Sequence, residues 1–243
     1  MRILNPSFEI LAPKNLREDP IIAAQEIYAQ IELAARTCYQ SQDKIMQGSA
    51  EKVCKNLIQH GHTAMLEHAS ITVLFTVDRG ITHEAVRHRM ASFAQESSRY
   101  CNYSKEKFGE HVKYIDLKSG AQYDAAFRNL SELKKAAILD EWFYACQDAE
   151  RHYMRMLELG ATPQIARSVL NNSTASQLVV TANIREWRHI LALRAVGTTG
   201  KPHPQMEEIM VPLLRDLAAY LPALFGDLYA AYLTNDIMDK KEG

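Results

Sequence analysis

The sequence predicts a helix-rich, mixed α/β domain built on a central β-sheet, and three features carry that expectation. Apolar residues recur at helical spacing over most of the chain. Only two runs, SITVLFTV at 70–77 and QLVVTAN at 177–183, have the β-branched content expected of strands. Finally, 243 residues with 47% apolar and 23% charged side chains suit one globular domain spanning 1–243. That composition sets aside disordered, collagen-like and coiled-coil classes, and there are no repeats or low-complexity tracts.

In chain order, Ile27, Ile31, Ala34, Ala35 and Cys38 form the stripe of an amphipathic helix, and a second helix is expected over 51–60, stopped by Gly61. In the first strand Ile71, Val73, Phe75 and Val77 alternate with Thr72, Leu74 and Thr76, after which Asp78-Arg79-Gly80 turns the chain. A helix over 81–89 follows. The segment SFAQESSRYCNYS then reads as a structured loop, and 105–120 is polar and unassigned. The longest helical pattern, 131–159, puts Ile138, Trp142, Ala145, Ala149 and Met156 on one face and is closed by Gly160 and Pro163. After the second strand come a helix over 184–196, a glycine-rich loop GTTGKPHP at 197–204, and a last helix through Leu213, Leu217, Leu221, Leu224 and Leu228. Pro222 kinks or divides that one.

Net charge is 28 − 29 = −1, which argues against a general polyanion binder and hence against a nucleic-acid partner. No apolar run approaches the roughly 18 residues of a membrane span, and the N-terminus lacks a signal-peptide pattern, so a cytoplasmic protein with no membrane partner is expected. Cys38, Cys54, Cys101 and Cys146 form no C-x-x-C pair and read as buried free thiols. His60, His62 and His68 make a poor metal site, because His60 and His62 would fall on opposite sides of a helix; no metal is expected.

Two constellations carry chemistry. Arg87-His88-Arg89, followed by Ser92, Ser97, Ser98 and Arg99, gathers guanidiniums and hydroxyls suited to a phosphate, although R-H-R alone could be a solvated helix end. On a helical wheel Arg194 shares a stripe with Asn183, Trp187, Ile190 and Leu191, so it is expected to point inward. There it needs either a buried salt bridge or a polar or anionic ligand. Arg167, ahead of Asn171-Asn172-Ser173-Thr174, is weaker evidence. Glu84 and His88 at i, i+4 read as a local pair. G-x-G-x-x-G, G-x-x-x-x-G-K-[ST] and G-x-S-x-G are absent.

The segment RHRMASFAQESSRY resembles the signature of flavin-dependent thymidylate synthases. The resemblance extends to Gly61-His62 with Leu66-Glu67-His68, to ARSVLNNSTASQLVVTANIREWRHILALR and to HPQMEE, and so spans most of the chain. It implies FAD contacts at His62, Arg87, His88, Arg89, Gln95, Asn183, Arg185 and His189. For dUMP it implies Glu84, Arg87, Ser97, Ser98, Arg99, Arg167 and the catalytic Arg194, the last promoting ionisation at N3 of the uracil. It further implies a homotetramer with FAD held between subunits, and methylation of dUMP to dTMP by 5,10-methylenetetrahydrofolate with NADPH-reduced FAD as hydride source. This chain departs from the family pattern at Ala64, Ala94, Asn171 and the long 197–204 loop. A nucleotide-binding hydrolase or phosphotransferase, and a silent RNA- or nucleotide-binding module on the same fold, stand as alternatives.

Overall fold

The computed structural model describes residues 1–242, with side chains described for 1–235. Its elements are β1 (Arg2–Leu4), β2 (Ser7–Ala12), α1 (Asn15–Glu18), α2 (Pro20–Thr37), α3 (Ser49–Gln59), β3 (Ser70–Asp78), α4 (Arg79–Ala85), β4 (Ser92–Gln95), β5 (Lys113–Ile115), α5 (Leu117–Ala121), α6 (Ala125–Arg128), α7 (Glu132–Glu158), α8 (Pro163–Ala166), β6 (Ala175–Asn183), α9 (Ile184–Leu191), α10 (Pro204–Tyr220) and α11 (Pro222–Glu242). A four-stranded sheet has the order β2-β3-β6-β4, and β1 pairs in parallel with β5, Arg2 opposite Lys113 and Leu4 opposite Ile115. The expected helix-rich α/β class is the one found. The chain divides into two compact units interleaved in sequence: one is Met1–Ser7, Phe75–Arg87 and Phe93–Val179, and the other is Phe8–Leu74, His88–Ser92 and the chain from Val180 onward.

In the first unit the Asp78 carboxylate accepts from Ile81 N at 2.7 Å, so Asp78-Arg79-Gly80 is not a turn but the capped start of α4. That helix ends at Ala85, four residues earlier than expected, which leaves the R-H-R tripeptide beyond it. The serine-rich segment expected to be a loop begins as β4, whose four residues alternate exposed and half-buried at the end of the sheet. Helix α7 runs where the periodicity places it, but its packed face is different. Cys146 and Tyr153 are fully buried against Tyr103, Val112 and Tyr114, whereas Ile138 and Ala145 of the expected stripe are exposed. A cysteine and a tyrosine seven residues apart define this seam, and neither weighs much in an aliphatic pattern. The helix is tied further by Trp142 Nε1 donating to Ser173 Oγ at 2.9 Å and by the Met1 ammonium 2.6 Å from Glu150.

In the second unit Asp19 caps α2, which buries Ala23, Ala24, Ile27, Tyr28 and Ile31. The stripe then runs out: Ala34 and Ala35 are half-buried and Cys38, just past the helix end, is exposed, so the expectation of a buried thiol fails there. Gly61, at φ 71°, closes α3 by adopting the left-handed conformation that a side chain would disfavour. The core collects Ile71 and Val73 of β3 with Trp187, Leu191, Leu213, Leu217, Leu221, Leu224 and Phe225. Pro222 does divide the last helix, opening α11 after α10 stops at Tyr220. Arg188 clamps α9 to α11 with two bonds to Asp227, at 2.7 and 2.6 Å.

One local departure bears on function. The helix expected over 184–196 is α-helical only through Leu191, and Ala192–Val196 form a π-helical turn ended by Gly197 at φ 77°. The i→i+5 pattern widens the turn, so residues after Leu191 rotate less per step than an α-helical wheel assumes. Trp187, Ile190 and Leu191 are buried as expected, but Arg194 is only half-buried.

Candidate functional site

The first unit holds the serine–arginine cluster. After β4 the chain turns at Ser97, whose carbonyl accepts from Tyr100 N and Cys101 N at 3.1 and 3.0 Å while its Oγ accepts from Arg99 N at 3.4 Å. This turn buries Ser98, and Ser98 Oγ accepts from Arg167 Nη1 at 3.3 Å across 69 residues of sequence. Arg99 Nη2 donates to Gln164 Oε1 at 3.4 Å, and its guanidinium lies 5.4 Å from the centroid of the Tyr100 ring. Among the described residues, neither Arg99 nor Arg167 is paired with a carboxylate. Two cations held by neutral partners keep their charge for an anion, which is the arrangement a phosphate needs.

Gln95 points the other way: its Nε2 donates to Thr82 Oγ1 at 2.9 Å and Ser176 Oγ at 3.3 Å, so an FAD contact from it would use the remaining carbonyl oxygen. Glu84 is half-buried on α4, and Arg87 is exposed beyond it. Glu96 accepts from Tyr103 Oη at 3.0 Å and Gln177 N at 3.4 Å. A pocket of ≈ 340 Å³ in this unit is lined by Glu96, Cys101, Tyr103, Lys113 and Ser176 among others, and its lining includes no arginine.

The second unit holds the histidine–arginine cluster. His88 is buried, and Arg194 Nε donates to its Nε2 at 3.2 Å. Glu186 Oε1 lies 3.6 Å from its Nδ1, and the His189 ring stands edge-on with centroids 5.8 Å apart. The expected pairing of His88 with Glu84 is therefore replaced by partners far along the chain. Burial, with Arg194 and then His189 adding to it, lowers the pKa of His88 to about 4, so the ring is neutral at physiological pH. Asn183 caps α9 by accepting from Glu186 N at 2.8 Å, leaving its amide nitrogen as a donor. Arg185 pairs with Glu67 at 2.6 Å, both partners largely exposed. His62 and Arg89 are exposed. Because α3 ends before His60, the His60 and His62 rings are neighbours, 6.4 Å apart, rather than on opposite sides of a helix. Among the described residues no three potential metal ligands gather.

The His88 environment gives a pH signature. The unfolded histidine, near pKa 6.5, takes up its proton before the folded one as pH falls, so stability is full above pH 6.5 and is lost progressively towards pH 4. The expected loss from this group is up to about 3 kcal/mol. Urea unfolding at pH 7.5 and 4.5 should show it, and His88→Gln should remove that part of the difference; an unchanged difference would refute the neutral, buried ring.

Sequence reasoning missed Glu186 and Gln164. Asn183-x-x-Glu186 has capping-box spacing and could have flagged the glutamate; nothing local marks Gln164.

The model of the family described as thymidylate synthase complementing protein matches residues 21–223. The chain belongs to this family, the flavin-dependent thymidylate synthases. A flavin-dependent thymidylate synthase of Mycobacteroides abscessus is 34% identical over 215 residues, covering 85% of this chain and 82% of the relative. That of Mycobacterium sp. (strain JLS) is 33% identical over 208 residues, covering 82% of this chain and 79% of the relative. The fold is shared with PolB from Streptomyces cacaoi, a UMP/dUMP methylase crystallised with 5-Br dUMP, at TM-score 0.71 and 22% identity over 96% of this chain and 97% of that one. In this flavin-dependent thymidylate synthase family member, no described helix is long and apolar enough to cross a membrane.

Proposed function

We propose that the chain methylates dUMP to dTMP, taking the methylene from 5,10-methylenetetrahydrofolate and using NADPH-reduced FAD as hydride source. The observation that carries this reading is the Ser98–Arg167 and Arg99–Gln164 arrangement, two carboxylate-free guanidiniums, one on the family signature and one brought to it from the ARSVLNNST stretch. Ser97, Ser98, Arg99 and Arg167 hold the nucleotide in this reading, with Glu84 and Arg87 assigned to it by the family resemblance. Arg194, of this or a neighbouring subunit, meets the uracil and stabilises negative charge at N3.

The residues assigned to FAD fit a dinucleotide. Arg87 and Arg89 are exposed and make no ion pair among the described residues, His62, Arg185 and His189 are exposed donors, and His88 and Gln95 are each held by internal bonds. Cations and imidazoles of this kind suit a pyrophosphate flanked by aromatic rings. When bound, the flavin supplies the redox chemistry that no side chain can. The chain's own groups bind, orient and set charge. Cys101 is the thiol nearest the signature, and burial together with the Glu96 carboxylate pushes its pKa up, which disfavours a thiolate nucleophile. The interleaved sequence of the two units supports a single domain over 1–243. Exposed Leu133, Ile138 and Tyr144 on α7 support assembly into the homotetramer.

The test is a dUMP titration followed by flavin fluorescence on protein reconstituted with FAD, with visible absorbance and light scattering recorded beforehand. A yellow oligomer is expected. Arg99→Ala and Arg167→Ala should each weaken dUMP by about ten- to a hundredfold, the loss of one charge-assisted hydrogen bond. A protein that stays colourless with FAD, or unchanged dUMP affinity in both variants, would sink the reading.

A further inference from the structure

We infer that Glu186 is a positioning residue for the proposed reaction: it holds His88 in the Nδ1–H tautomer, and through His88 it fixes the plane of the Arg194 guanidinium. The inference rests on the reading of Arg194 as the group that meets the uracil.

A guanidinium has donors only, so a bond from Arg194 Nε to His88 Nε2 requires that nitrogen to be the acceptor. A neutral imidazole that accepts at Nε2 carries its proton on Nδ1. Nδ1 faces the Glu186 carboxylate at 3.6 Å, longer than a hydrogen bond but close enough for a buried negative charge to favour an N–H dipole aimed at it. Both side chains are nearly sequestered from water, His88 at 6% and Glu186 at 9% exposure, so the interaction is weakly screened. In the other tautomer, Nε2–H would confront Arg194 Nε–H, donor against donor, and the bond would be lost. The groups facing His88 are Glu186 and His189 from α9 and Arg194 from the π-helical turn, and Glu186 is the acid among them.

The backbone supports the same reading. Glu186 sits in the first turn of α9, fixed by the Asn183 cap, and Trp187 beside it is fully buried. Arg194 lies in the wider π-helical turn, and its Nε is tethered to His88. Nε held by His88 helps set the direction of the guanidinium fork, and a planar pyrimidine edge demands a set orientation.

The test combines nitrogen-15 NMR of the imidazoles, with His88→Gln assigning the resonance, and steady-state kinetics of the FAD-loaded enzyme. The wild type should show His88 protonated at Nδ1 at pH 7.5. Glu186→Ala should shift it toward Nε2–H and lower kcat by about ten- to a hundredfold, with KM for dUMP changed less than about threefold. Glu186→Gln, which keeps the shape and an acceptor oxygen, should recover part of both signals, and thermal melting identifies any variant that fails to fold. Wild-type kcat in Glu186→Gln and Glu186→Ala overturns the inference, as does a kcat loss with the Nδ1–H tautomer retained. Arg194→Ala in the same assay separates the two readings: if it turns over normally the assignment of Arg194 falls, and the tautomer signal alone then judges Glu186.

Discussion

Arg194→Ala is expected to lower the rate of dTMP formation by about a hundred- to a thousandfold, the loss typical when a donor aimed at developing negative charge is removed. Its side chain is half-buried beside a neutral His88 in a buried cluster, where a positive charge acts with little screening. The nucleotide's phosphate, in contrast, is assigned to Arg99 and Arg167. The variant should therefore bind dUMP within a few-fold of wild type while kcat collapses, the pattern of an interaction made mainly in the transition state. The fold should survive, measurably destabilised. The substitution leaves His88 Nε2 without its donor, a cost of about 1–3 kcal/mol against a typical total of about 5–15 kcal/mol. Single-turnover kinetics with a parallel thermal melt decide the matter: near-normal turnover refutes the assignment, and global unfolding would show that the arginine serves the core instead.

How far the sequence revealed this arrangement depends on the range of the interaction. The strands at 70–77 and 177–183 were legible because nine-residue strands with buried, β-branched positions carry a period of their own. Strands β1, β4 and β5 are three or four residues long and carry none, so β1 and β5 have no sequence signal and β4 reads as part of a loop. The α7 helix was legible and its packed face was not, because Cys146 and Tyr153 bury where an aliphatic count looks elsewhere. The π-helical turn has no residue signature in ALRAV; the wheel put Arg194 on the right side of the chain but too deep. In the phosphate cluster, residue types pointed to the chemistry, but the approach of Arg167 to Ser98 is a tertiary fact 69 residues long. Only the family resemblance linked the two in advance.

Trp187→Ala should be the most destabilising single change in α9, lowering stability by about 3–5 kcal/mol, as truncating a fully buried aromatic does. Trp187 has no exposed surface, and its Nε1 donates to the Ile71 carbonyl at 2.9 Å, which joins α9 to β3. Alanine leaves a cavity and an unsatisfied buried carbonyl together. Trp187→Phe separates the two terms: it keeps most of the apolar volume and loses the donor, so its cost should be nearer 1–3 kcal/mol. The consequence reaches the chemistry, because α9 carries Glu186 and His189 and runs directly into the turn that bears Arg194. An α9 that frays at Trp187 loses the tether on His88 before the whole unit unfolds. Urea denaturation at fixed protein concentration should thus rank wild type above Trp187→Phe above Trp187→Ala, with turnover falling in the same order at low urea. If Trp187→Ala unfolds at the wild-type midpoint, α9 does not pack on β3 through Trp187, and the platform on which the histidine–arginine cluster stands falls with it.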